Sequence, residues 1–241
     1  MEKAKENKLN ELATRSVGRL LWEYSVPAVV AMVVMQLYNV IDRIFIGRGV
    51  GADAIAGLAI TFPVMNLSAA IGVLIGAGAS ARVSIMLGAG DHRGAELVLG
   101  NTLVLLLANA IVYLTLFAVF IDEILLVFGA SPTSLPYARD FMLYILPGML
   151  VMNLTFSFNS IMRASGYPVK AMISMFIGAG SNLVLAPLFI FVLDMGIKGA
   201  AIATDIAMTI SMAFVMSHFF SRKSVLRFVG GIYRLRWPIV M

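Results

Sequence analysis

Residues 24–48 read YSVPAVVAMVVMQLYNVIDRIFIGR. From Tyr24 to Ile41 no side chain carries a formal charge, and then Asp42 arrives, four residues short of Ile46 where the apolar run ends. A run of this length is a membrane-span candidate, because about 20 apolar residues cross the hydrocarbon core as a helix. A carboxylate at a helix centre costs roughly 2.5–3.5 kcal/mol on insertion scales, and less toward the interface. Residues kept at that cost commonly serve a proton, a cation or a substrate. Tyr38 and Asp42 are spaced i,i+4, and Asn39 and Asp42 i,i+3, so the three share one helix face. The plainer reading leaves Asp42 beside Arg43 at the interface, both side chains reaching out to water. Pro27 also has two readings, a kink within the helix or a proline near the helix start.

The rest of the chain agrees with lipid as the solvent. Of its 241 residues 60% are hydrophobic and 13% charged, against about 25% charged in soluble domains. Six apolar stretches are expected to span, at about 20–46, 54–81, 96–120, 138–162, 169–193 and 199–220. The expected fold is all-α and polytopic, with residues 1–19 as an interfacial N-terminal segment and 221–241 as a basic segment. In the first of these, Leu9, Leu12, Val17, Leu20 and Leu21 suit an apolar helix side, with Lys3, Lys5, Lys8, Arg15 and Arg19 toward headgroups. No short apolar region precedes a small-residue cleavage site, so no removable signal peptide is expected. Placing both termini in the cytoplasm leaves only Arg43, Arg48, Arg139 and Lys198 of the 18 Lys and Arg outside, as the positive-inside rule requires. The net charge of +5 then belongs to the membrane surface, and nucleic acid is not an expected partner.

Several chemistries drop out. There is no cysteine, which removes disulfides and thiolate metal ligands. His92 is expected to be solvated in a turn, and His218 to cap the end of the last span among Arg222 and Lys223. No residue pair resembles a nucleophile with its base and no His/Glu cluster suits zinc, so neither an enzyme nor a cofactor is expected. Gly76-Ala77-Gly78 lies within a span and follows no strand, which rules out a dinucleotide loop. Gly72, Gly76, Ser80, Ser84 and Gly88 recur every four residues and are expected to let a neighbouring helix approach. Asp205 is a second carboxylate in an apolar span. It lies six residues past Gly199, about 9 Å along a helix, while Asp42 lies about 6 Å from Ile46. A polar site shared by the two is therefore one outcome. Thr204 and Asp205 are about 100° apart, so only one of them is expected to face the interior.

At this point the chain resembles the multidrug and toxic compound extrusion (MATE) family. Ser25-Val26-Pro27-Ala28, Gln36-Leu37-Tyr38-Asn39-Val40-Ile41-Asp42 and Ile46-Gly47-Arg48 are similar to its first helix and following loop. Gly51 to Leu58, Phe62-Pro63, Leu87 to Asp91, Met162 to Gly166 and Gly196 to Thr204 look like further landmarks in the expected order. The resemblance implies one six-helix lobe of a transporter that exports amphipathic, often cationic drugs against inward protons or sodium across a bacterial inner (plasma) membrane. It implies ion-site positions at Asp42, Asn182 and Thr204, with Tyr38 and Asn159 beside the same cavity, Asn39 on its wall and a hinge at Pro27.

Two departures stand out. Where the family carries an Asn-x-x-x-Asp-Pro pattern, this chain reads Asn182-Leu183-Val184-Leu185-Ala186-Pro187, so Ala186 replaces a carboxylate. A hard cation wants several oxygens, and a lone desolvated acid suits proton uptake. Proton coupling is the expectation, with Asp205 as a candidate for the displaced carboxylate. The second departure is length: twelve helices are implied and six are found. Trp237 to Met241 resembles the start of a seventh helix, so the chain is expected to be incomplete, or else a half-transporter that pairs with a second lobe, its homodimer mate. Two other functions stay open here, a lipid-linked precursor flippase, which would favour a basic cavity, and a membrane scaffold that transports nothing.

Overall fold

A computed structural model describes residues 16–221 and 224–231. Six long helices follow one another: α1 (Val17–Gly49), α2 (Ala52–Gly88), α3 (His92–Val127), α4 (Leu135–Ala164), α5 (Pro168–Pro187) and α6 (Gly196–Phe220), with a single π-helical stretch, Leu188–Val192, closing α5. All six are long and apolar enough to cross a bilayer. In lipid every backbone polar group must be satisfied inside the protein, and helices do this for nearly all of theirs. The chain is a multi-pass, all-α membrane protein. Of the interfacial segment expected at 1–19, residues 1–15 lie outside the described residues and 17–19 open α1; the seventh-helix start expected at Trp237 also lies outside them.

Helix ends follow local chemistry. Asp91 accepts the Gly94 N–H at 2.8 Å and caps α3. Gly90 before it has φ +77° and Gly166 before α5 has φ +92°, the left-handed conformation that ends the preceding helices. Pro27 lies ten residues inside α1, so it is an interior proline and leaves one carbonyl without its helical donor. Pro63 and Pro147 do the same in α2 and α4.

The bundle is organised around α4, which packs on α2, α6, α3 and α5. α1 is peripheral. It rests mainly on α5 and buries only Ala31, Tyr38 and Ile46. Two apolar clusters fill the interior. One lies toward the α1–α2 and α5–α6 turns (the rim) and includes Ile46, Met142, Ile190 and Ile197. The other lies at the opposite end (the base) and includes Val83, Leu99, Phe158 and Phe219. At the base, residues 224–231 fold back onto the bundle, burying Val225 and Leu226. The Phe228 ring meets Phe158 edge-on at 5.7 Å and lies tilted against Phe220 at 5.4 Å. His218 is drawn into this cluster, only 5% exposed, with its Nε2 3.2 Å from Ser224 Oγ and its ring 4.4 Å from that of Tyr167. It lies in the last turn of α6, at the end expected for it, with its ring turned into the interior.

The small-residue stripe on α2 works over part of its length. Gly72 and Gly76 meet α4 closely: Ser157 Oγ donates to the Gly72 carbonyl at 2.8 Å, and Asn153 Nδ2 donates to Ser68 Oγ at 3.2 Å. Beyond Gly76 the contact passes to Ala79, Val83 and Leu87, while Ser84 and Gly88 are exposed. A four-residue repeat turns through about 400°, so it drifts about 40° per step off any fixed face. The buried face follows the helix and leaves the stripe. Substitution separates the two kinds of glycine. A Cβ at Gly76 would come 2.7 Å from the Ser157 Cα, whereas one at Gly78 meets nothing within 4 Å. Gly76→Ala is expected to destabilise by about 1–3 kcal/mol, as overpacking does. Gly78→Ala should leave the thermal midpoint of the purified protein unchanged or slightly raised.

Candidate functional site

Toward the rim, α1, α2, α4 and α6 enclose a cavity of ≈ 260 Å³. Periodicity puts Tyr38, Asn39 and Asp42 on one face of α1, and the structure turns that face onto the cavity, with Met35, Gln36 and Arg43 beside it. From α2 come Leu58, Phe62, Met65, Asn66 and Ala69, and from α4 Phe141, Ile145, Met152 and Phe156. α6 supplies Thr204 and Met208. The wall is thus largely apolar, with Phe and Met prominent, a few amides and one charge of each sign. That composition suits a drug-sized apolar molecule with polar ends.

The acid side of the cavity is a small network. Asn182 Nδ2 donates to Thr204 Oγ1 at 3.0 Å, and that hydroxyl donates to the Ala200 carbonyl at 3.0 Å. The buried Tyr38 hydroxyl also reaches Thr204. Asp42 adjoins this group, its Oδ1 out of water with no hydrogen-bond partner. Asn39 uses its amide locally, donating to the Met35 carbonyl at 2.9 Å. Ala186 is fully buried one turn beyond Asn182, so a methyl occupies the position of a carboxylate in the family pattern. The network therefore holds one carboxylate. Among the described residues no group of three His, Asp or Glu could hold a metal ion.

The base side lies along α2. Arg43 places its guanidinium carbon 4.8 Å from the centre of the Phe62 ring. No ion pair joins it to Asp42 or to another carboxylate among the described residues. Both side chains line the cavity, Arg43 stays exposed, and its charge acts on the neighbouring Asp42 carboxylate.

Two residues expected at this site are elsewhere. Asp205 faces the seam between α6 and α4, its carboxylate against Gly148 where no Cβ fits, and its Oδ1 is buried without a partner. The 100° between neighbours on a helix decides this: Thr204 takes the cavity, so Asp205 cannot stand in for the carboxylate missing at Ala186. Asn159 lies at the base and is saturated. It donates to the Ala171 carbonyl and to Ser174 Oγ, both at 2.7 Å, and accepts from Arg163 Nη1 at 2.7 Å. It binds α4 to α5 and does not border the cavity. Pro27 sits some four turns of α1 from Asp42, away from the cavity. Phe62, Asn66 and Phe156 were missed as wall residues. The i,i+4 pair Phe62 and Asn66 was a visible signal, but which face of α2 meets α1 was not.

The fold and the cavity define a multi-pass membrane protein with a mixed-polarity pocket between its helices. The chain belongs to the MatE family, whose model matches residues 27–188. It is 30% identical over 197 residues to the FAD transporter of Shewanella oneidensis, covering 80% of this chain and 43% of that protein. It is 26% identical over 228 residues to the multidrug export protein MepA of Staphylococcus haemolyticus, covering 93% of this chain and 50% of MepA. Crystal structures of MATE in bent and straight conformations superpose with a TM-score of 0.84 at 28% identity, covering 91% of this chain and 49% of theirs. The chain spans about half the length of the curated relatives it matches.

Proposed function

We propose that this chain is one lobe of a secondary transporter that exports amphipathic small molecules, organic cations among them, in exchange for an inward-moving ion. The observation that carries this reading is the Asp42 carboxylate, with an oxygen out of water and unpartnered on the wall of a ligand-sized cavity. A bare charge there is costly, so binding and releasing a positive ion changes what the wall offers to a substrate. Asn182, Thr204 and Tyr38 hold that side of the wall in place. The ion is a proton, because one carboxylate beside a buried alanine gives a sodium ion few oxygens and little charge compensation. Pro27 supplies the weak point about which α1 bends when Asp42 changes state. Relatives named for multidrug export and for FAD transport support small-molecule cargo.

The remaining wall of the path belongs to a second six-helix lobe, either a continuation of this chain or a second copy of it. Rocking of the two lobes about the shared cavity then gives access to each side in turn. The excess of basic residues at the base supports a cytoplasmic side for that end of the bundle, and we assign the protein to a bacterial inner membrane. Sodium-free proteoliposomes holding the chain with its second lobe test the ion: a pH gradient should drive dye export unaided. Strict sodium dependence with no response to pH would sink the proton assignment. A flippase for acidic lipid-linked precursors is not favoured, since the cavity carries one acid for its one base. A scaffold role predicts that Asp42→Asn and Pro27→Ala fold and change nothing in transport.

A further inference from the structure

We propose that Asp205 is a second proton-binding site, set apart from the cavity in the seam between α4 and α6, and that its proton keeps these two helices closed on each other. The inference goes beyond the transport reading and does not depend on it.

The seam is shaped around the acid. The Asp205 carboxylate rests on Gly148, in the space a Cβ would take, and its Oδ1 is out of water with no hydrogen-bond partner. No cation answers the charge among the described residues. Lys198 lies seven residues toward the rim on α6, about 10 Å away along the axis, and it is committed to Asp140 at 3.2 Å. Tyr144, one turn rimward of Gly148 on α4, has its ring 5.8 Å from the same ammonium. The ionisable residue of α5 is Lys170, in its first turn at the base, and the π-helical stretch has none. Asp42 and Arg43 of α1 line the cavity, which Asp205 does not.

A bare carboxylate in this seam would be an unpaired charge held away from water. A proton removes that cost. One carboxylate oxygen takes H+ from water at the rim, and the group becomes a neutral acid. Its new O–H brings a donor to the turn of α4 where Pro147 leaves the Leu143 carbonyl without one. Lys198, Asp140 and Tyr144 give the proton a polar approach along the rimward two turns. The neutral acid stays against Gly148, whereas the ion is drawn toward water, and α6 must turn or move off α4 to release it. Thr204 is the adjacent residue, so the same movement draws its hydroxyl away from Asn182. A substrate in the cavity does not meet this proton; the pH at the rim does.

The test uses the full chain in nanodiscs, with Asp42→Asn in every sample so that the cavity acid is silent. Surface carboxylates are already ionised at neutral pH, so an infrared difference spectrum between neutral and alkaline buffer isolates an acid held in the interior. Asp42→Asn should lose one protonated-carboxyl C=O band on going alkaline, and Asp42→Asn/Asp205→Asn should show none. Asn has the shape of the neutral acid and keeps the seam closed. Nitroxides on Leu143→Cys and Ile206→Cys, at exposed positions of α4 and α6 in a chain otherwise without cysteine, read the seam by pulsed electron spin resonance. Their separation should widen as the band is lost, and stay fixed in the variant that lacks Asp205. A spectrum without the band, or a separation that does not move or moves equally in both, would overturn the proposal. Asp205→Ala serves if the Asn variant does not fold, since it too removes the acid and fits against Gly148. With Asp42 replaced throughout, failure here leaves the export reading as it stands.

Discussion

Asp42→Asn is expected to bring ion-driven export down to the level of empty vesicles, while the protein folds as well as before. The amide matches the carboxylate in shape, and Asp42 Oδ1 has no hydrogen bond to lose. Removing a charge held largely out of water takes away a cost, offset in part by the lost attraction to the neighbouring Arg43, so the thermal midpoint should change little. What disappears is the difference between two states. An ion shifts a conformational equilibrium only as far as it binds one state better than the other, and an amide at position 42 binds no proton. Ethidium export from cells, read beside the thermal midpoint of the purified variant, checks both halves. A midpoint lowered by several degrees together with lost export would turn Asp42 into a packing residue.

The second large effect is expected at Gly148. A Cβ there would overlap the Asp205 carboxylate, and α4 is the helix on which the other elements pack. Gly148→Ala must push α6 away or turn Asp205 out of its seam, at a cost of about 1–3 kcal/mol or more. Shortening the opposing residue should restore the fit. Asp205→Ala in the Gly148→Ala background is therefore expected to recover most of the lost midpoint, a coupling that only neighbouring residues show. Two independent losses that simply add would mean that the α4–α6 seam is not formed as described. At the rim end of the same seam, the Lys198–Asp140 pair at 3.2 Å is half-exposed, and Asp140→Asn should change the midpoint little.

Composition alone gave six spans and their order, because in lipid a helix needs only length and apolarity to declare itself. Sharing of a face within one helix was equally legible: Tyr38, Asn39 and Asp42 do line one wall. What the sequence withheld was the rotation of each helix against its neighbours. Asp205 and the far end of the α2 stripe follow from depth or spacing and Asn159 from the family resemblance, and each faces another helix or the surface. Depth along a span is linear in residue number, but azimuth depends on which partner helix packs where. The contact of Gly72 with Asn153 and that of Gly148 with Asp205 set those angles. His218 shows the same limit, since the segment that covers it returns from beyond the end of α6. For Arg43, the side chain was noticed for its charge, whereas its ring partner Phe62 lies on another helix.

The most direct test of the account is proton release on substrate binding. Purified chain in weakly buffered, sodium-free solution receives rhodamine B ethyl ester while a pH electrode records the medium. Competition between an ion on Asp42 and a substrate in its cavity predicts that wild type releases protons as the dye binds, and that Asp42→Asn binds the dye with no release. Equal release from both proteins, or saturating binding to wild type with a silent electrode, would contradict it.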